Sequence, residues 1–122
     1  MNASTKKKSS NLSIGAFGEE KVSEYLLAHR YEIIERNWRI REGEIDLVAI
    51  SKHGIVVFVE VKTRTSIAFG HPLEAITKEK AYRLQRLALA WLTVHHRWGF
   101  EYRIDAAAVL ISKGEKFEID YR

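Results

Sequence analysis

The sequence predicts an α/β fold, helices packed on one mixed β-sheet in the order helix, three strands, helix, one or two strands. Three observations carry that prediction. Val22, Tyr25 and Leu26 recur at the 3–4-residue spacing of one helix face. Ile55–Val59 is an unbroken apolar run with both faces covered, the mark of a central strand. Ala81, Leu84, Leu87, Ala88, Trp91 and Leu92 then form one stripe of a long second helix.

Each element follows from its residues. Residues 1–13 are mostly Ser, Asn, Thr and Lys, and they read as a flexible basic arm ahead of a folded domain over 14–122. Such an arm either touches phosphates or serves as a solubilising tail. The first helix is expected from Gly15 to about Arg30, with Ser13 as its cap. Tyr31–Ile40 reads as a strand, and Arg41-Glu42-Gly43 as the turn after it. Glu44–Ile50 and Ile55–Thr63 make a hairpin through Ser51-Lys52-His53-Gly54. Arg64–Ile76, with Gly70 and the single proline Pro72, is expected to be a mobile loop. Thr77 opens the long helix and Gly99 is its expected stop. Tyr102–Ile111 and Phe117–Tyr121 are the last strands.

Composition narrows the function. With 46% hydrophobic and 30% charged residues in 122, the chain is an ordinary globular one rather than a disordered one. It has no Cys, which excludes disulfides, thiolate zinc sites and a thiol nucleophile. No apolar run approaches the roughly 20 residues of a membrane helix, and residues 1–13 hold no secretory-type apolar segment, so a cytoplasmic protein without membrane partners is expected. The net charge of +4 is concentrated in Lys6, Lys7 and Lys8, which leaves 17 basic against 16 acidic side chains elsewhere. A polyanion partner therefore requires segregated charge rather than bulk charge.

Five residues do not suit a bland core. Along Ile55–Lys62, alternation puts Val56, Phe58, Glu60 and Lys62 on one face, so a carboxylate and an ammonium stand side by side at the end of a buried strand. A structural ion pair at a strand end is the plain alternative. Asp46 stands between apolar neighbours on the preceding strand, about as far from the hairpin turn as Glu60. Two such carboxylates repel unless a cation joins them, and hard oxygen ligands without Cys or clustered His select Mg²⁺ or Mn²⁺. Glu19 lies one heptad before Leu26 on the inward face of the first helix, either relieving the helix dipole or extending the acid cluster. Lys80 precedes Leu87 by seven residues and lies along the apolar stripe, either snorkelling or reaching a phosphate, whereas Arg83 and Arg86 are expected to point away.

Asp46 followed by Glu60-Val61-Lys62, with Glu19 on a preceding helix, resembles the signature of the PD-(D/E)XK nuclease superfamily and its restriction-endonuclease-like fold. More closely, Gly15-Ala16-Phe17-Gly18-Glu19, Gly43-Glu44-Ile45-Asp46-Leu47 and Val59-Glu60-Val61-Lys62-Thr63-Arg64 resemble the YraN-type family of small bacterial proteins. The layout is also similar to that of archaeal-type Holliday junction resolvases, with Ile45 where the superfamily has its naming proline. The resemblance implies a Mg²⁺- or Mn²⁺-dependent endonuclease on DNA, with branched or repair intermediates as its substrates. It implies that Asp46, Glu60 and the Val61 carbonyl hold the metal, that Lys62 orients water or stabilises charge, and that Glu19 assists.

Phosphate contacts are expected from Arg39, Arg41, Arg64 and Lys80, although a solvated strand edge would account for the arginines equally. The five histidines form no metal motif, and no base-reading motif is present. A homodimer would suit a four-way junction. The competing function is a non-catalytic nucleic-acid-binding or adaptor protein that keeps the nuclease fold, and action on RNA is also open.

Overall fold

The computed structural model describes residues 3–65, 71–97, 99–113 and 116–122, with side chains from Ile14 onward except that of Ala75. A first helix, α1 (Ala3–Ala28), leads into β1 (Glu32–Ile40), β2 (Gly43–Ile50) and β3 (Val56–Arg64). A 3₁₀ turn (Pro72–Ala75) and a second helix, α2 (Lys78–Val94), then cross to β4 (Tyr102–Ile111) and β5 (Phe117–Tyr121). The five strands form one sheet in sequence order. β1, β2 and β3 pair antiparallel, β3 and β4 pair parallel, and β4 and β5 pair antiparallel. The parallel pair is the one that needs a long crossover, and α2 supplies it. This mixed sheet and element order are those of the restriction-endonuclease-like fold that the motifs imply.

The helices cover opposite faces. Val22 and Leu26 of α1 pack on Leu47, Ala49, Val57, Val59, Ala107 and Val109. Leu87, Ala88, Trp91 and Leu92 of α2 pack on Ile45, Val48, Val56 and Phe58. The two-sided burial of β3 is the reason its sequence is apolar on both parities. Asp105 is the buried exception on the α1 face. Arg103 grips its two oxygens at 2.8 and 3.0 Å, and the Tyr121 hydroxyl donates to it at 2.6 Å. Burial, together with that bond, holds the Tyr121 phenol protonated well beyond its usual range. This network ties β4 to β5 and, through Tyr31, to the start of β1.

Several boundaries differ from expectation. The α1 backbone is helical from Ala3 rather than Gly15, because nothing between residues 3 and 14 is a proline or glycine that would stop it. The side chains of 1–13 lie outside the described residues, and with them the expected basic arm. Helix α2 begins as expected, with the Thr77 hydroxyl accepting from the Lys80 N–H at 3.2 Å. It ends at Val94, well before Gly99, because His96 takes the left-handed position at φ 55° and lets the Arg97 N–H reach the Leu92 carbonyl at 2.8 Å. Ala81 is exposed rather than core, since the first turns of α2 overhang the sheet edge. Within Arg64–Ile76, the 3₁₀ turn is capped by His71. Residues 66–70, on which the expected mobility rests, lie outside the described residues.

Two glycines allow the helices to approach. Gly43, at φ 153°, closes the β1–β2 turn, and a Cβ there would stand 3.1 Å from Leu87 of α2. At Gly18 a Cβ would overlap Thr63 Oγ1 and fall 2.9 Å from Thr63 Cβ, so α1 lies directly on the end of β3. Turning the Thr63 hydroxyl relieves only the first contact. Gly18→Ala should therefore destabilise the fold by about 1–3 kcal/mol despite the better helix propensity of Ala. Urea denaturation tests this, and partial recovery is expected from Thr63→Ala in the Gly18→Ala background. A Gly18→Ala protein as stable as wild type would contradict so close a packing.

Candidate active site

The sheet forks at one point. β2 and β3 pair from Ile50↔Val56 down to Leu47↔Val59 and then part. Beyond that pair, β2 stays with β1 as far as Gly43, and β3 stays with β4 as far as Arg64. Asp46 and Glu60 are next in register, the first residues past the fork. A forked ladder strands backbone groups that must find other partners. Asp46 supplies one: its Oδ2 accepts the Val61 N–H at 2.8 Å. An extended residue aims its N–H and C=O to the same side, so the Val61 carbonyl faces the same gap.

The fork collects acids. Burial, then repulsion from Glu60, pushes the Asp46 carboxyl up to about 7, against the opposing pull of the Val61 N–H; Glu19 and Glu44 add to the rise. Glu19 is also raised, chiefly by burial, although the Asn37 side chain hydrogen-bonds it. Asn37, in β1, has a left-handed φ of 52° opposite the fork. Asn tolerates that conformation better than most residues.

Cations share the gap with these acids. Lys62 Nζ lies 3.4 Å from Glu60 Oε1, both side chains being largely buried. The pair borders a cleft of about 250 Å³ lined by Glu44, Glu60, Lys62, Lys80 and Arg83, with Gly43 and Leu87 beneath. Arg83 is a correction to the sequence reading, which pointed it away from the stripe. It stands one turn after Lys80 on the part of α2 that overhangs the sheet, and its long side chain reaches back over Gly43.

Of the residues singled out in the sequence, Glu19, Asp46 and Glu60 lie within electrostatic reach of one another, and Lys62 and Lys80 share the cleft with Glu60. Arg39 connects indirectly, its Nη2 donating to Glu44 Oε2 at 2.7 Å. Arg41, in the β1–β2 turn, and Arg64, at the end of β3, do not line the cleft. Glu44 was missed, although its place two residues before Asp46 on the same strand was a usable signal. Among the described residues no three acidic or histidine side chains close into a ready-made metal cage. Mg²⁺ does not need one. It retains several waters and is bound by one or two carboxylates plus substrate phosphate. Two repelling carboxylates beside a backbone carbonyl, all hard oxygen donors, fit that ion.

The model of the uncharacterised protein family UPF0102 matches residues 18–109, a span that opens at Gly18 and takes in every residue of the fork and the cleft. The chain belongs to UPF0102. This is the family its motifs resembled. The UPF0102 protein of Beutenbergia cavernae is 48% identical over 109 residues, 89% of this chain and 92% of that one. The UPF0102 protein of Leifsonia xyli is 50% identical over 97 residues, 80% of this chain and 81% of that one. Among solved structures, a repair endonuclease from Pyrococcus abyssi is similar with a TM-score of 0.46 and 18% identity, over 75% of this chain and 35% of that one. EndoMS, in a complex with double-stranded DNA, gives a TM-score of 0.38 and 17% identity, over 71% of this chain and 44% of that one. Likeness at this level carries no information about the chemistry of this UPF0102 chain. Among its described residues no helix is long and apolar enough to cross a membrane.

The raised Asp46 has a consequence for stability. A carboxyl whose folded pKa exceeds its unfolded value of 3.8 contributes full stability below that value and loses it as pH rises through about 7. Asp46→Asn keeps an acceptor for the Val61 N–H and removes the charge. At pH 8 it should be more stable than wild type by on the order of 1–3 kcal/mol, the difference shrinking toward pH 4. Equal stability in urea across that range would mean that Asp46 ionises freely.

Proposed function

We propose that this chain is a Mg²⁺- or Mn²⁺-dependent endonuclease that hydrolyses phosphodiester bonds in DNA, with branched or repair intermediates as its substrate class. One observation carries the reading. At the sheet fork four acids, Asp46, Glu60, Glu19 and Glu44, stand close enough for their repulsion to raise the Asp46 carboxyl, and Glu44 and Glu60 share the adjoining cleft with Lys62, Lys80 and Arg83. Lys62 pairs with Glu60 and Arg39 with Glu44, which leaves Asp46 without a cation of its own. Crowded carboxylates suit a divalent cation, and the basic side chains of the cleft suit an anionic substrate beside it.

Asp46, Glu60 and the Val61 carbonyl would hold the metal. When bound, it supplies the positive charge that offsets both carboxylates and draws charge from the phosphodiester. The Val61 N–H fixes the Asp46 carboxylate, so that acid needs no reordering. Lys62, released from Glu60, orients the attacking water or stabilises the negative charge that builds on the phosphoryl oxygens. Lys80 and Arg83 hold the phosphate in the cleft, and Asn37 fixes Glu19 at its acidic end. The water oxygen bonds to phosphorus and gives up a proton, one P–O ester bond breaks, and the departing oxygen takes a proton.

Two substitutions separate these roles. Lys62→Ala leaves both carboxylates in place, so Mg²⁺ affinity should hold while cleavage falls by about 10²-fold or more. Asp46→Asn should weaken Mg²⁺ binding and cleavage together, while metal-free DNA affinity holds or rises. Calorimetry with Mg²⁺ and cleavage of linear, flapped and four-way DNA give the readouts. Wild type and Lys62→Ala equally inactive on every form with Mg²⁺ and Mn²⁺, yet binding DNA alike, would return the chain to the adaptor reading.

A further inference from the structure

The cleft does not end at Arg83. Arg83 and Leu87 also wall a second hollow of about 510 Å³, between the β1–β2 turn and the outer side of α2, so the two spaces adjoin. Its floor is apolar, with Ile40, Leu87 and Ala90, which suits the flat face of a base better than a phosphate. Tyr82 stands on its wall with 65% of its surface exposed, so its ring is open to a ligand in the hollow. Arg86 lies one turn further along the helix. Among the described residues neither Arg83 nor Arg86 has a carboxylate within ion-pair distance, although Glu42 and Glu79 also line the hollow.

We propose that this groove takes an unpaired stretch of the nucleic acid whose phosphodiester sits in the cleft, with Tyr82 as the surface on which one base stacks and Arg83 and Arg86 holding the phosphates beside it. The inference rests on the nuclease reading and narrows its substrate to DNA with a single-stranded branch. Charge supports that choice. Outside its first 14 residues the chain has an excess of only one basic side chain, so phosphate attraction alone supplies little affinity. Base–aromatic stacking is independent of net charge and is offered only by bases free of a duplex. The mixed signs of Arg83, Arg86, Glu42 and Glu79 likewise disfavour a groove that tracks a backbone by charge. An apolar floor flanked by two arginines fits a nucleotide, base inward and phosphates outward.

The test compares the full chain with Tyr82→Ala and Tyr82→Phe on a single strand, a blunt duplex and flapped duplexes, bound in chelator and cleaved in Mg²⁺. Tyr82→Ala should lose about 5- to 150-fold in affinity for the flapped and single-stranded forms, the loss expected from one base stack, with blunt-duplex affinity unchanged. Tyr82→Phe should restore it, since stacking needs the ring and not the hydroxyl. A 2-aminopurine base in the flap should be quenched by wild type and not by Tyr82→Ala. Flap affinity unaffected by Tyr82→Ala, a Phe variant as weak as the Ala variant, or a wild type that binds no single strand would each overturn the groove. Tyr82-dependent flap binding without cleavage would keep the groove and sink hydrolysis. Cleavage of duplex and flap alike, indifferent to Tyr82, would do the reverse.

Discussion

The bond from the Val61 N–H to the Asp46 carboxylate organises the site. It exists because β2 and β3 part after Leu47↔Val59, and it allows them to part, since the fork would otherwise bury a backbone donor without a partner. The same parting brings Glu60 beside Asp46 in the next register position and turns the Val61 carbonyl into the gap. A ladder that continued one pair further would satisfy the backbone by itself and leave Asp46 free to turn to solvent. The acid cluster is thus a property of where the sheet opens, and each helix contributes to the opening. Helix α1 comes down on Thr63 through Gly18 and sets Glu19 against the fork. Helix α2 overhangs the other side and brings Lys80 and Arg83 to face it.

The core around the fork is conventional, which is why it could be read directly. Two apolar layers on opposite faces, with β3 buried on both, leave all five strands ending within one residue of where alternation and turn residues put them. The buried Asp105 is the exception, fully engaged by Arg103 and Tyr121 on the α1 face of the sheet. Unlike Asp46, it has a cation bonded to both oxygens. That contrast separates a charge buried for structure from one held in repulsion for want of a counter-ion.

Asp46, Glu60 and Lys62 were legible because a hairpin counts: residues equidistant from a short turn face one another. Lys80 was legible because a heptad does the same along a helix. What escaped depended on backbone conformations that no period encodes. Asn37 turns to φ 52° opposite Asp46, and His96 rather than a glycine ends α2. Arg83 looked outward because helical periodicity places a Cβ and not the end of a long side chain, and only the overhang of α2 lets that end return over Gly43. Glu44 looked like a strand start next to a turn, and its place in the acid cluster depends on the fork, which no alternation pattern reveals.

The central claim is that Asp46 and Glu60 are held in mutual repulsion that a divalent cation relieves. Its most direct measurement is the NMR titration of the Asp46 carboxyl carbon with and without Mg²⁺. Without the ion the midpoint should lie near pH 7, where burial and Glu60 put it. With saturating Mg²⁺ it should fall below the ordinary aspartate range, because the ion now favours the charged form. A midpoint near 7 that Mg²⁺ does not move would contradict a metal site at the fork, and a midpoint near 4 without the ion would contradict the repulsion itself.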